Sequence, residues 1–546
     1  MTDITPAISP AIGLVPPAVL WLAGLVGSRW AAARPSAVAR LNTAAAWAAF
    51  AAATGIAAIF ALKPPVAWTA FSIALPGDVG AFSLSVYLNA VTLVMLLLVS
   101  FVGVIVSRYA RTYLDREVGQ GRFHLWLMWT LASILTLIVS GNLLLFALAW
   151  MSTSLCLHQL LTFYRERPAA MLAAHKKFVA SRIGDAALLL AVLLIGSNLH
   201  TLELPELYAR LAAPLQPLPL GLQAAALLVV VSAALKSAQF PLHGWLIQVM
   251  EAPTPVSALL HAGIVNAGAF LVLRMSPLMS QSGLALAVLA LIGLTTLALA
   301  SLVMLTQTSI KVSLAWSTTA QMGFMLLECG LGLYSLAMLH LVAHSLYKAH
   351  AFLASGSGVD GFRAPVVRYS SSRGGAMRTV GILAVAAAVS VSLAATFGLD
   401  WRQEPALIAA AAIVSVATAQ LLLQTTAVLG AAQWLRAVGL AAVVCSAYYL
   451  LHAAFDMMLR GSVLPLQPGA AAAQAWLVPL VIALFLLLLG AQRFIASSSS
   501  ALRRRLWVHL YNGLYIDVAI TRLLQRAWPS PTQATPQTAS HLSTGA

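Results

Sequence analysis

His340, His344 and Lys348 stand at i, i+4 and i+8, so they share one helical face. Imidazole both donates and accepts, so such a row can pass a proton along its length. The histidine pair could instead hold a metal, but further ligands are needed, and the sequence offers no carboxylate or cysteine close by. Hydrogen bonds between helices are the plainest alternative. A second signal is Lys236, which follows the apolar run Gly221–Leu235 and precedes Pro241. Proline removes a backbone donor and breaks a helix. The carbonyls this frees can hold water or ions within a membrane. An amine buried beside such a break can exchange its proton, whereas a structural ion pair would only hold it. Pro253-Thr254-Pro255 predicts a second break. His261, shortly after it, could bridge water between the two broken helices. Asp185, which follows Arg182 in one apolar run, is a candidate partner for Lys236. Lys311 lies just inside another run, where snorkelling to water is the plain alternative. Asp400, Arg402 and Glu404 cluster between two apolar runs, as a surface loop or an exit to the aqueous phase. The sequence has no phosphate-binding glycine loop, nucleophile elbow or zinc spacing, so no catalytic site, metal or cofactor is expected in this chain.

These side chains must be positioned by membrane-spanning helices. Of the 546 residues, 61% are hydrophobic and 8% charged, against about 25% charged in soluble domains. The expectation is an all-α polytopic membrane protein. A span needs roughly 20 apolar residues, and about fifteen such runs can be counted. They are Ile12–Trp30, Leu41–Leu62, Phe82–Val106, His124–Gly141, Leu143–Phe163, Phe178–Ser197, Leu220–Met250 and Pro255–Met275. Then come Gly283–Leu305, Ile310–Leu327, Leu333–Ala354, Thr379–Leu399, Pro405–Val428, Val438–Phe455 and Ala475–Gln492. One broken helix within Thr379–Phe455 would lower the count to fourteen or so.

Lys and Arg concentrate in alternate loops: Arg29, Arg34 and Arg40; Arg108, Arg111, Arg116 and Arg122; Arg165, Arg167, Lys176 and Lys177; Arg363, Arg368, Arg373 and Arg378; and Arg493, Arg503, Arg504 and Arg505. Cytoplasmic loops collect such residues. The expected N-terminus is therefore outside and the C-terminus cytoplasmic. This pattern accounts for the net charge of +16 with lipid, not nucleic acid, as the surroundings. No basic region precedes the first apolar run, so no cleaved leader is expected. Cys156, Cys329 and Cys445 are far apart in apolar surroundings, as core-packing residues would be. The organisation expected is a transmembrane domain over 1–495, a basic amphipathic cytoplasmic segment over 496–528, and a disordered tail over 529–546 rich in Ser, Thr, Pro and Gln.

The stretch Lys236-Ser237-Ala238-Gln239-Phe240-Pro241-Leu242-His243-Gly244-Trp245-Leu246 resembles the proton-translocating antiporter-like subunits of respiratory complex I and of multisubunit Na+/H+ antiporters. So do Glu251–Ala262, Leu305–Lys311, Ser317–Phe324 and His340–Phe352, and the resemblance covers about residues 80–400. It implies inverted repeats with broken helices, and a proton path in which Lys236 matches the central carrier. His340, His344 and Lys348 match the link between half-channels, and Lys311 and His261 match further polar positions. Two departures matter. Ala149-Trp150-Met151 stands where complex I keeps a glutamate after Gly-Trp, leaving Asp185 to fill that place. The family's twelfth-span lysine has no clean equivalent, and nearby Arg402 cannot readily release a proton.

The ending Val508-His509-Leu510-Tyr511-Asn512-Gly513-Leu514-Tyr515-Ile516-Asp517 resembles that of the membrane subunit in two-component inorganic-carbon transporters of the DAB type. This resemblance implies a bacterial inner-membrane subunit that conducts protons or another cation. It also implies a cytoplasmic DabA-like partner, similar to a zinc β-carbonic anhydrase, which holds the zinc and does the CO2/bicarbonate chemistry. The alternative it leaves is a pumping subunit of complex I or of a Na+/H+ antiporter.

Overall fold

The computed structural model describes residues 9–213, 215, 217–357, 376–398, 404–425, 431–497 and 500–527. The helices are α1 (Pro10–Ala23), α2 (Pro35–Phe60), α3 (Ala90–Tyr113), α4 (Gln120–Val139), α5 (Leu143–Leu161), α6 (Pro168–Leu199), α7 (Leu220–Lys236) and α8 (Thr254–Arg274). After these come α9 (Gly283–Met304), α10 (Ile310–Gly330), α11 (Tyr334–Leu353), α12 (Ala376–Thr396), α13 (Ala406–Thr425), α14 (Ala431–Leu459) and α15 (Leu477–Ser497). Two tail helices follow, α16 (Ala501–Tyr511) and α17 (Ile516–Ala527). A helix meets each expected run. Among the described residues, eleven helices are long and apolar enough to cross a membrane, and α1 and α7 are apolar but shorter. The other two, α10 and α11, are 21 and 20 residues long and carry the polar side chains discussed below.

Local signals set the helix starts. Asn89 caps α3 by accepting from the Thr92 N–H at 3.0 Å. Asn142 caps α5 by accepting from Leu144 and Leu145. Pro35 and Pro168 open α2 and α6, where the missing N–H costs nothing. At the α9–α10 crossing, Gly293 and Gly323 each lie against the backbone of the other's helix, closer than any Cβ would permit.

Two boundaries differ from expectation. The run taken as Phe82–Val106 begins with a strand, β2 (Ala81–Leu88), paired antiparallel with β1 (Val66–Ala74). Its period-2 alternation of Ser83 and Ser85 with apolar neighbours is a strand signal hidden inside an apolar run. Both hydroxyls donate to Glu203, that of Ser85 at 3.0 Å. The second correction concerns Lys176 and Lys177, read above as loop charges. Helix α6 starts at Pro168 and encloses both, with relative exposures of 6% and 2%.

The loops sort onto two faces. On one, Ser140 bridges Val86, Asn142 bridges Glu203, and Tyr208 donates to the Ser462 carbonyl at 3.1 Å. On the same face Gln467 N–H bonds the Ser280 carbonyl, and Gly332 packs on Leu466. On the other face Thr254 bonds the Tyr113 hydroxyl, Lys176 meets Asp517, and Gln307 bonds the Tyr511 carbonyl. The second face carries the arginine-rich connections and is called the basic face below. Cys156, Cys329 and Cys445 are all free and buried.

Candidate functional site: a buried polar axis

Helix α7 ends at Lys236, and the chain resumes as a short turn of helix at Gly244–Gln248. Between them Ala238 adopts φ 50°, a conformation that side-chain-bearing residues rarely take. Lys236 is 6% exposed, and its Nζ has no hydrogen-bond partner among the described residues. It lies 4.3 Å above the centre of the Trp150 ring. An aromatic face thus meets the ammonium one residue from Met151, where the family resemblance leads one to expect a carboxylate. Asp185, 3% exposed, pairs with Arg182 at 2.5 Å. Asp185 and Lys236 interact electrostatically, with Trp150 against both. Asp185 is thus shared between an ion-paired arginine and a nearby lysine.

Sequence reading missed a second amine here. Lys177 Nζ donates to the Ser154 carbonyl and to Ser154 Oγ, each at 2.8 Å, and it is within the field of Lys236. The cluster therefore has three basic groups, Lys177, Arg182 and Lys236, around one carboxylate. The available signal was a helix start at Pro168, which a hydropathy count passes over.

The α11 row is also more elaborate than its spacing showed. His340 Nδ1 lies 2.9 Å from Glu328 Oε2, and its Nε2 lies 2.7 Å from Gln321 Oε1, both on α10. Each ring nitrogen is engaged. Among the described residues no three His, Cys, Asp or Glu form a metal-holding group. Glu328 was missed because it is twelve residues from His340; antiparallel packing of α10 on α11, not sequence distance, brings them together. His344 is 6.1 Å from His340 between ring centroids and also contacts the His261 backbone. His261, fully buried on α8, stacks on Phe352 at 4.2 Å, and neither ring nitrogen has a partner among the described residues. Lys348 donates to the Leu314 carbonyl at 3.1 Å. Lys311 lies one turn before Leu314, half-buried near the start of α10 on the basic face.

A seam of small polar groups joins the two clusters. Ser237, next to Lys236, donates to the Val265 carbonyl at 2.8 Å. The adjoining Asn266 donates to Ser345 Oγ at 2.7 Å, beside His344 on α11. The Pro253-Thr254-Pro255 segment is not a break within a span. It is the start of α8, whose helix is interrupted instead at Gly263–Asn266, where this seam crosses.

The tail closes the basic end of the first cluster. Asp517 accepts from Lys176 Nζ at 2.9 and 3.0 Å and from Gln248 Nε2 at 2.8 Å. It lies so near Gly244 that a Cβ there would collide with its carboxylate. Gly513 packs on Trp316, which in turn flanks the His243 ring at 5.0 Å. His243, which the sequence does not single out, is fully buried beside the broken helix. Of the supposed exit cluster, Asp400 and Arg402 lie outside the described residues, as does the 529–546 tail. Glu404 is exposed just before α13, in the field of Asp456.

Comparison with known proteins agrees with this architecture. A family model described as NADH:quinone oxidoreductase/Mrp antiporter matches residues 140–398. One described as the N-terminus of complex I chain 5 matches residues 77–124. A Halothiobacillus neapolitanus protein named "Probable inorganic carbon transporter subunit DabB2" is 46% identical over 473 residues, 85% of this chain and 84% of that protein. Hydrogenovibrio crunogenus has a "Probable inorganic carbon transporter subunit DabB" that is 48% identical over 50% of this chain and 52% of its own length. The chloroplast NAD(P)H-quinone oxidoreductase subunit 5 of Buxus microphylla is 37% identical over 54% of this chain and 40% of its own. A chain of the Mrp complex from Dietzia sp. DQ12-45-1b superposes with a TM-score of 0.62 at 25% identity, covering 94% of this chain and 59% of that one.

Proposed function

Because the chain belongs to the NADH:quinone oxidoreductase/Mrp antiporter family, in the group of the DabB inorganic carbon transporter subunits, we propose that it conducts protons for a two-component CO2/bicarbonate transporter. The observation that carries this reading is the row Glu328–His340–His344–His261, with Lys348 beside it, joined through Asn266 and Ser237 to Lys236. Groups that each give and take a proton, set in a row inside apolar helices, suit relay and not structural support. Protons cross from outside to the cytoplasm by way of Asp185, Lys236, His261, Lys311, His340, His344 and Lys348. Their flow drives one-way hydration of CO2 in a cytoplasmic partner of the zinc carbonic-anhydrase kind, and the zinc belongs to that partner. The basic face is cytoplasmic in this reading, the N-terminus is outside, and the site is the bacterial inner membrane.

The partner docks on the exposed side of the tail, which presents Arg504, Arg505, Arg522 and Arg526. The inner side is already occupied by the membrane helices. A pumping role within complex I is less well supported: the chain matches 40% of a subunit 5 relative but 84% of an inorganic-carbon relative.

The test uses a strain that grows in air only when the transporter works. Lys236→Ala and His344→Ala should each abolish growth in air but not in elevated CO2, with membrane abundance and co-purification of the partner unchanged. Growth in air with both variants would overturn the reading.

A further inference from the structure

We propose that α14 supplies the outer entrance of the axis, with Asp456, His452 and Tyr448 delivering protons to His340 through Glu328. The proposal rests on the proton-conducting reading above and extends it to a helix that the resemblance leaves unassigned. Tyr448, His452 and Asp456 stand at i, i+4 and i+8, so they form one stripe on α14. The opposite side of the helix exposes Val443, Leu450 and Met457, as a lipid-facing surface does. Ionisable groups are costly in a span and turn toward a polar interior.

The stripe runs from water to the buried row. Asp456 is near the end of α14 opposite the basic face, with its side chain 48% exposed. It accepts from Ser335 Oγ of α11 at 3.1 Å and lies 3.4 Å from Arg460. Glu404 acts on it from the start of α13. One turn inward, His452 is 8% exposed, is in the field of Asp456, and has no partner for Nδ1 among the described residues. A further turn inward, Tyr448 is in the field of Glu328. Glu328, 7% exposed, is bonded to His340. The neighbouring Tyr449 points elsewhere, bonding Ser390 at 2.7 Å. A half-exposed carboxylate, a buried imidazole, a phenol and a buried carboxylate thus lead, in order, to His340 on α11. All are groups that exchange protons.

The test uses the complete transporter in cells. Asp456→Asn and His452→Phe should each lower inorganic-carbon uptake at least about tenfold, as expected when a proton-exchanging group is removed, while Asp456→Glu retains it and the partner still co-purifies. In a background with Cys156→Ala, Cys329→Ala and Cys445→Ala, His452→Cys should react with a membrane-impermeant thiol reagent added outside. If His452→Phe transports normally while Lys236→Ala does not, the entrance is wrong and the conducting function stands. If Lys236→Ala also transports normally, the conducting function itself fails. Reaction of His452→Cys only from the cytoplasmic side would likewise overturn the entrance.

Discussion

Replacing Asp517 with Asn should release the tail from the basic face. Its carboxylate is held by two contacts from Lys176 and one from Gln248, at 2.8–3.0 Å. The Lys176 side chain is 4% exposed and that of Asp517 30%. Breaking a fully buried ion pair by removing one partner costs about 3–5 kcal/mol, because the other charge is stranded. Partial exposure of Asp517 lets water screen part of the field, which lowers the cost to about 1–3 kcal/mol. With a factor of ten for each 1.4 kcal/mol or so, the tail should open roughly 5- to 150-fold more often. Trypsin added to the basic face of membrane vesicles reads this directly, since cleavage at Arg522 and Arg526 tracks the open population when reclosing is fast. Adding Lys176→Met to Asp517→Asn removes the stranded charge and should restore much of the protection. A cleavage rate unchanged by Asp517→Asn alone would refute the reasoning.

Trp150→Leu should lower transport by about 5- to 30-fold, equivalent to a desolvated cation–π contact of roughly 1–2 kcal/mol, while Trp150→Phe keeps most activity; uptake assays on matched expression levels decide. Gly323→Val should prevent α9 and α10 from closing, seen as loss of a monodisperse peak after detergent extraction, whereas Gly381→Val should be tolerated because no described residue lies within 4 Å of a Cβ there. Arg274 is fully buried and bonds Thr92 Oγ1 at 2.8 Å and the Ser140 and Ile138 carbonyls at 2.9 and 3.2 Å. Arg274→Met should strand those acceptors and cost at least about 3 kcal/mol, read as a lowered thermal midpoint in detergent, with Arg274→Lys in between.

The helices were legible because each apolar run is long and the alternating basic loops fix which ends meet. Lys236, His340, His344 and Lys348 were legible for the opposite reason: a charge in an apolar run stands out. What the sequence hid were pairings across helices. Glu328 is a carboxylate within bonding distance of His340, but only the α10–α11 turn reveals it. Lys177 was hidden by being two places into a basic cluster, and the hairpin by having apolar strands that merge with α3. Asp517 lies 341 residues from Lys176, beyond what local spacing can show. Asp185, the expected partner of Lys236, is in its field but forms its ion pair with Arg182.

Two buried amines, Lys177 and Lys236, share the field of a single carboxylate that already has an arginine. Like charges in a low-dielectric interior repel strongly, so such sites fill in sequence and not together. In the proton-conducting reading proposed above, the pair would act as a turnstile: an arriving proton settles most easily once its predecessor has moved on. Such a device sets throughput by departure on the far side. A stalled partner would therefore halt entry at the membrane centre without any helix having to move.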